Sequence, residues 1–278
     1  MLPWRTDGDA GARPVDLSDL PARRDGRPLK RWRYVGAFGR DAMLCVGLAH
    51  VGGLPHGWWA VWDRRAGRLH GRTLFLRPRA AVRFGRGRVT VRDRGVAIEL
   101  AVEEVPGVQS VNPHGAGWIW TRKQAGVAVR GTVRVGRDAA PLQLDVRGVV
   151  DDTVGYHARH TAWRWAAGVG ACEDGRAAAW NLVAGVNDPP LGSERTVWLD
   201  GEPREVGPCT FADDLSSVRI ADGGELRFAA EATRERHDEL LLVRSDYVQP
   251  FGTFTGVLPG GARLAEGYGV MEDHAARW

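Results

Sequence analysis

The residues best suited to chemistry gather in one stretch, Gly155-Tyr156-His157-Ala158-Arg159-His160-Thr161-Ala162-Trp163-Arg164-Trp165. On a regular strand His157, Arg159, Thr161, Trp163 and Trp165 share one face, and Tyr156, His160 and Arg164 share the other. Burying such a row is costly unless a network or a ligand satisfies it; the alternative is a set of polar side chains hydrogen-bonded at a barrel mouth. His157 and His160 fall on opposite faces of a strand, so the spacing does not build a metal site and none is expected. Asn181, between Trp180 and Leu182, needs partners if it is buried. Asp246, Glu266 and Glu272 are the carboxyls whose pKa would rise in apolar surroundings, as a proton donor to an alkene requires; the alternative for each is a salt bridge with one of the many arginines. There is no Gly-x-Ser-x-Gly, no phosphate-cradling glycine loop and no cysteine–histidine pattern, which disfavours covalent catalysis and nucleotide chemistry.

The elements that must position these groups are strands. Val127, Val129, Val133 and Val135 alternate with polar or small residues, as do Leu142, Leu144 and Val146, and Val96, Ile98, Leu100 and Val102. Asp174-Gly175, Asp200-Gly201 and Asp222-Gly223 have the chemistry of tight hairpins, and Pro259-Gly260-Gly261 that of another turn. Only Ala229 to Leu242 offers a helix, and it reads equally as two strands flanking a charged turn at Arg234 to Asp238. An all-β chain with about twenty strands has to close or pack its edges, which favours two antiparallel barrels or one large sandwich. The expected division is an irregular arm at 1–28, one barrel at 29–150 and a second at 151–278, with the chemistry in the second half between Gly155 and Asn187. The tryptophans fall in groups, Trp58, Trp59 and Trp62, then Trp118 and Trp120, then Trp163 and Trp165, with Trp180 and Trp198 following. At least one group is expected to line a cavity for a flat apolar ligand.

With 278 residues and 44% hydrophobic content the chain folds without a metal or disulfide staple. The net charge is +4, and only Lys30 and Lys123 of the 38 basic side chains are lysine. The arginines are scattered, and the short run Lys30-Arg31-Trp32-Arg33-Tyr34 is not a basic stripe, so no nucleic-acid partner is expected. Three widely spaced cysteines, no apolar leader and no membrane-spanning segment lead to the expectation of a soluble, cytoplasmic protein without cofactor.

Several segments carry a family resemblance: Lys30-Arg31-Trp32-Arg33-Tyr34-Val35-Gly36, Trp59-Ala60-Val61-Trp62-Asp63-Arg64, Gly155 to Trp165, Trp180-Asn181-Leu182-Val183-Ala184-Gly185, Phe251-Gly252-Thr253-Phe254 and Gly267-Tyr268-Gly269-Val270-Met271-Glu272. From about residue 30 to the end the chain resembles the bacterial family called domain of unknown function 2804. More distantly, Tyr156 to Trp165 is similar to a motif of two-barrel lipocalin-like proteins that include carotenoid 1,2-hydratases and related cyclases. That likeness implies two consecutive lipocalin-like (calycin-type) barrels and a small hydrophobic ligand, with His160 standing where the relatives' acid is expected. Three functions are compatible. The first is a cofactor-free hydratase, isomerase or cyclase, with His160, His157 or Asp246 as proton donor. Its ligand contacts would be Tyr156, Arg159, Trp163, Trp165, Asn181, Tyr247, Tyr268 and Glu272. The second is a carrier of a lipid or apolar metabolite, and the third a carbohydrate-active β protein.

Overall fold

The computed structural model describes residues 2–8, 13–75, 77–240 and 243–277. Among these, the alternating valines and leucines become strands of one sheet. Its path runs Arg68–Leu74, Leu54–Asp63, Ala42–Val51, Lys30–Phe38, Leu142–Gly155, Gly117–Val135, Val96–Val102, Arg88–Asp93, Val82–Gly85. Val108–His114 pairs with Gly117–Val135 off this path and holds the short strand Trp4–Thr6. A second sheet runs Glu202–Glu205, Thr196–Leu199, Ala177–Ala184, His160–Cys172, Ala262–Arg277, Val243–Leu258, Glu225–Leu240, Ser217–Ile220, Cys209–Phe211. The two paths obey one rule. In each, nine strands pair antiparallel, and the one first in the chain (Lys30–Phe38, His160–Cys172) is hydrogen-bonded to the last (Leu142–Gly155, Ala262–Arg277), which curls the sheet into a barrel. The path ends, Arg68–Leu74 and Val82–Gly85 or Glu202–Glu205 and Cys209–Phe211, are not paired with each other among the described residues. The fold is all-β, with two consecutive lipocalin-like barrels.

Hydrophobic parity explains where each face goes. Val127, Val129, Val133, Ile98, Leu100 and Leu144 point into the first barrel with Val35, Leu44 and Val46. Trp180, Leu182, Leu226, Phe254 and Met271 fill the second. A third core lies between the barrels, where Tyr34, Phe38, Met43 and Cys45 meet Trp165, Ala167, Val183 and Phe251. Lys30–Phe38 and Ala42–Val51 are therefore covered on both faces, and their sequences lose the alternation of a half-wet strand.

Several expectations are corrected. The segment Gly155 to Trp165 is not one strand. Gly155 ends the first sheet, residues 156–159 cross between barrels, and the second sheet starts at His160. The first sheet runs to Gly155, and Lys123 and Arg122 on the neighbouring strand pair with Asp151 and Asp152. Glu225–Leu240 is a single long strand with neither a helix nor a turn at Arg234 to Asp238; its register with Val243–Leu258 carries the charged residues along the edge of the cavity described below. The arm contains the strand Trp4–Thr6 and a hairpin, Arg23–Arg24 with Arg27–Pro28, and Val15, Leu17 and Leu20 cover Trp118, Trp120 and Tyr156. Asp200-Gly201 does form the expected tight turn, with φ of 51° and 87°. No helix of the described residues is long and apolar enough to cross a membrane.

Candidate functional site

Both barrel interiors are packed with aliphatic and aromatic side chains, and a cavity of about 160 Å³ opens between them. Its aromatic walls are Trp32, Tyr34 and Trp58 from the first half and Trp163, Trp165 and Tyr247 from the second. Trp32 and Trp163 face each other across the gap, centroids 6.4 Å apart and planes within 8°. Strand parity sets this up, since Trp32 and Tyr34, like Trp163 and Trp165, lie two residues apart and so emerge on one face of their strands. Trp58 is seated by Gly47, its cross-strand partner, because a Cβ at residue 47 would collide with the indole ring. Gly47→Ala is accordingly expected to push Trp58 into the cavity and to destabilise the fold by about 1–3 kcal/mol. Chemical denaturation and tryptophan emission of the variant check this, and an unshifted spectrum with wild-type stability would refute it.

Glu272 is the acid of this cavity. It is 7% exposed, its Oε1 accepts a hydrogen bond from Trp163 Nε1 at 2.8 Å, and its Oε2 accepts one from Gln249 Nε2 at 2.8 Å. Burial pushes its pKa up to about 7; the bonds from Trp163 and Gln249 oppose that rise and the charge of Asp151 adds to it. Near neutral pH this carboxyl therefore divides between acid and carboxylate. The nearby imidazoles are neutral there. Burial lowers His274 to about 3 and His56 to about 4, and holds His157 well below its ordinary value, helped by Lys30 and His114. His274 packs on Trp163 with centroids 4.2 Å apart, its Nε2 2.8 Å from the Ser245 hydroxyl.

On the opposite wall Lys123, 5% exposed, lies between Asp151 at 2.8 Å and Glu194 at 3.1 Å. Burial disfavours its charge, but the two carboxylates outweigh burial and hold its pKa above the ordinary lysine value. Asp151 also accepts bonds from Thr153 and from Trp32 Nε1, and Asn187 donates to Glu194. Behind Trp165, Asn181 accepts the indole N–H at 2.8 Å and donates to the Glu194 carbonyl at 2.9 Å, which answers its need for partners. These hydrogen bonds fix the Trp32 and Trp165 rings that form the walls.

Of the residues singled out in the sequence, His157, Trp163, Trp165, Tyr247 and Glu272 come together at the cavity, with Asn181 behind it. The others lie elsewhere. His160 and Arg159 are exposed where the chain crosses between barrels. Tyr156 is buried under the arm, its hydroxyl donating to the Pro21 carbonyl at 2.6 Å. Tyr268 turns to the exposed Glu266 at 3.2 Å. Asp246 forms a surface pair with His237 at 2.8 Å, whose hydrogen bond lowers its pKa, the reverse of what a proton donor needs. Sequence reasoning missed Tyr34, Lys123, Asp151, Arg234 and His274, and named Trp58 only as one of a group of tryptophans. One signal for Lys123 was available: it is one of just two lysines in an arginine-rich chain, and both prove to be buried. Among the described residues no group of three metal-ligating side chains occurs.

This architecture, two curled antiparallel sheets with a polar-tipped aromatic cavity between them, is a two-barrel lipocalin-like fold. The chain belongs to the family described as Domain of unknown function (DUF2804), whose profile matches residues 76–278. Its fold is similar to that of a crystal structure assigned as AttH from Nitrosomonas europaea. The two share 13% identity at a TM-score of 0.53, over 95% of this chain and 98% of that one. It is also similar to kievitone hydratase from Nectria haematococca, at 9% identity and a TM-score of 0.50, over 98% of each chain. Among curated proteins the sequence has no match.

Proposed function

We propose that the cavity between the barrels is a cofactor-free acid–base site acting on a compact, unsaturated, largely apolar molecule. The observation that carries this reading is Glu272, a buried carboxyl with a pKa of about 7 at the wall of an aromatic cavity. An alkene carbon is a poor base. A donor poised near neutrality and shielded from bulk water is suited to protonating it, and facing indoles stabilise the positive charge that develops. In a hydration the proton leaves Glu272 for one alkene carbon and a water oxygen bonds to the other. The surplus proton of that water then restores the acid, so alkene and water become an alcohol. Isomerisation and cyclisation use the same donor without the water. Kievitone hydratase, a neighbour in fold, bears a name that fits this class.

The test is turnover in D₂O with compact aryl alkenes. Product carrying solvent deuterium on carbon, with or without added water, supports the reading. Ligands that bind and leave without deuterium support carriage instead. In that case truncation of Trp32, Trp58, Trp163 and Trp165 would each weaken binding, and Glu272→Gln would have no effect on it. A carbohydrate site would use an open tryptophan platform, whereas these indoles confront one another across two sheets.

A further inference from the structure

We infer that the molecule bound in this cavity carries an anionic oxygen, a carboxylate or an enolate conjugated with its double bond, held by the guanidinium of Arg234 and the indole N–H of Trp58. The inference deepens, and rests on, the reading of the cavity as a binding site.

Arg234 projects from Glu225–Leu240 across the junction of the barrels, where its Nη2 donates to Thr73 Oγ1 at 2.8 Å and its guanidinium lies 4.9 Å from the centroid of the Tyr247 ring. Other cations beside the cavity have counter-ions. Lys123 sits between Asp151 and Glu194, and Arg236 pairs with Asp238 at 2.6 Å. Arg234 lies within 4 Å of no carboxylate among the described residues, although it lines the cavity. A guanidinium offers five N–H donors in a planar fork that matches a carboxylate, so most of this fork is available to a ligand.

A second observation points to the same place. The Trp58 Nε1 is buried and meets no acceptor among the described residues. Trp58 is the cross-strand partner of Thr73, the residue that anchors Arg234, and both Trp58 and Arg234 line the cavity. A buried donor with no acceptor is unfavourable, and an acceptor brought by the ligand removes the deficit. The acid is close by. Arg234 pairs in register with Gln249, whose amide holds Glu272. An oxygen anchored at Arg234 and Trp58 would leave a conjugated double bond directed along the aromatic walls toward Glu272. The class this defines is the compact aryl- or alkyl-alkenoic acid, or an enolic equivalent.

The experiment compares trans-cinnamate with methyl trans-cinnamate at pH 7.5, by calorimetry or tryptophan quenching, on wild type, Arg234→Gln, Arg234→Lys and Trp58→Phe. The expected result is about tenfold or greater preference for the acid in wild type, from a charge-assisted bidentate contact. Arg234→Gln abolishes the preference without weakening the ester, Arg234→Lys retains part of it, and Trp58→Phe reduces it while keeping the ring. Equal binding of acid and ester by the wild-type protein overturns the inference and leaves the cavity reading intact, even where a variant fails to fold. A preference that persists in Arg234→Gln does the same. Binding of neither compound overturns both.

Discussion

Replacing Glu272 by glutamine is expected to lower turnover by about 10²–10⁴-fold, the usual contribution of a positioned general acid, while ligand binding survives. Glutamine keeps the length of the side chain and can still accept from Trp163, but it has no proton to transfer. In the wild type the rate should follow the acid form. It should be level below pH 6 and fall about tenfold per unit above the pKa of about 7. Stability carries the same signature. The folded pKa of Glu272 lies above the ordinary 4.5, so the native state holds this proton more tightly than the unfolded chain. Relative to a permanently neutral side chain, wild type loses nothing below about pH 4.5. It becomes less stable as the pH rises through 7, by about 3 kcal/mol in total. His274 and His56, with lowered pKa values, act in the opposite sense as the pH rises toward 6.5, but they are common to both proteins. The difference between wild type and Glu272→Gln in urea titrations from pH 5 to 9 isolates the carboxyl. A difference that does not change with pH would mean that Glu272 titrates normally, and the proposed acid would have to be abandoned.

The second large effect concerns Lys123. Lys123→Met is expected to destabilise the protein by about 3–5 kcal/mol, because it removes the cation from between Asp151 and Glu194 and leaves two carboxylates buried together. The cost is high because the triad joins the halves, with Lys123 and Asp151 on adjacent strands of the first sheet and Glu194 ahead of Thr196–Leu199 in the second. The triple change Lys123→Met, Asp151→Asn, Glu194→Gln is expected to recover most of the loss, since no uncompensated charge remains. Equilibrium denaturation of the three proteins, wild type included, decides the matter. A loss below about 1 kcal/mol in the single variant would indicate carboxylates that solvent already reaches. Because Asp151 also accepts the Trp32 indole N–H, the single variant should weaken ligand binding even where it remains folded.

Local chemistry was legible from the chain. The valines at 127, 129, 133 and 135 lie inside or against the first core, as their period of two requires, and Asp200-Gly201 turns where its φ preferences allow. Trp163 and Trp165, in phase on one strand, reach the same cavity. Parity alone misled where a strand was assumed through Gly155, because nothing in the periodicity signals that residues 156–159 cross from one barrel to the other.

The choice among carboxyls shows what periodicity leaves open. Glu266 and Glu272 stand on one strand and one face, paired with Ala171 and Trp165 respectively. Both are glutamates near aromatic residues, yet Glu266 is exposed at the rim and Glu272 is buried. Parity assigns a side chain to a face, whereas desolvation depends on what covers that face. Here the cover is the first barrel, whose Tyr34, Trp58 and Asp151 are far away in the chain. Periodicity and turn chemistry were enough for the regular valine and leucine strands, their inward faces, the Asp200-Gly201 turn and the kinds of side chain available. The tertiary structure decided which faces the two sheets press together, and therefore which carboxyl is buried among aromatic rings, which lysine is enclosed by acids and which arginine lines the cavity with no carboxylate beside it among the described residues.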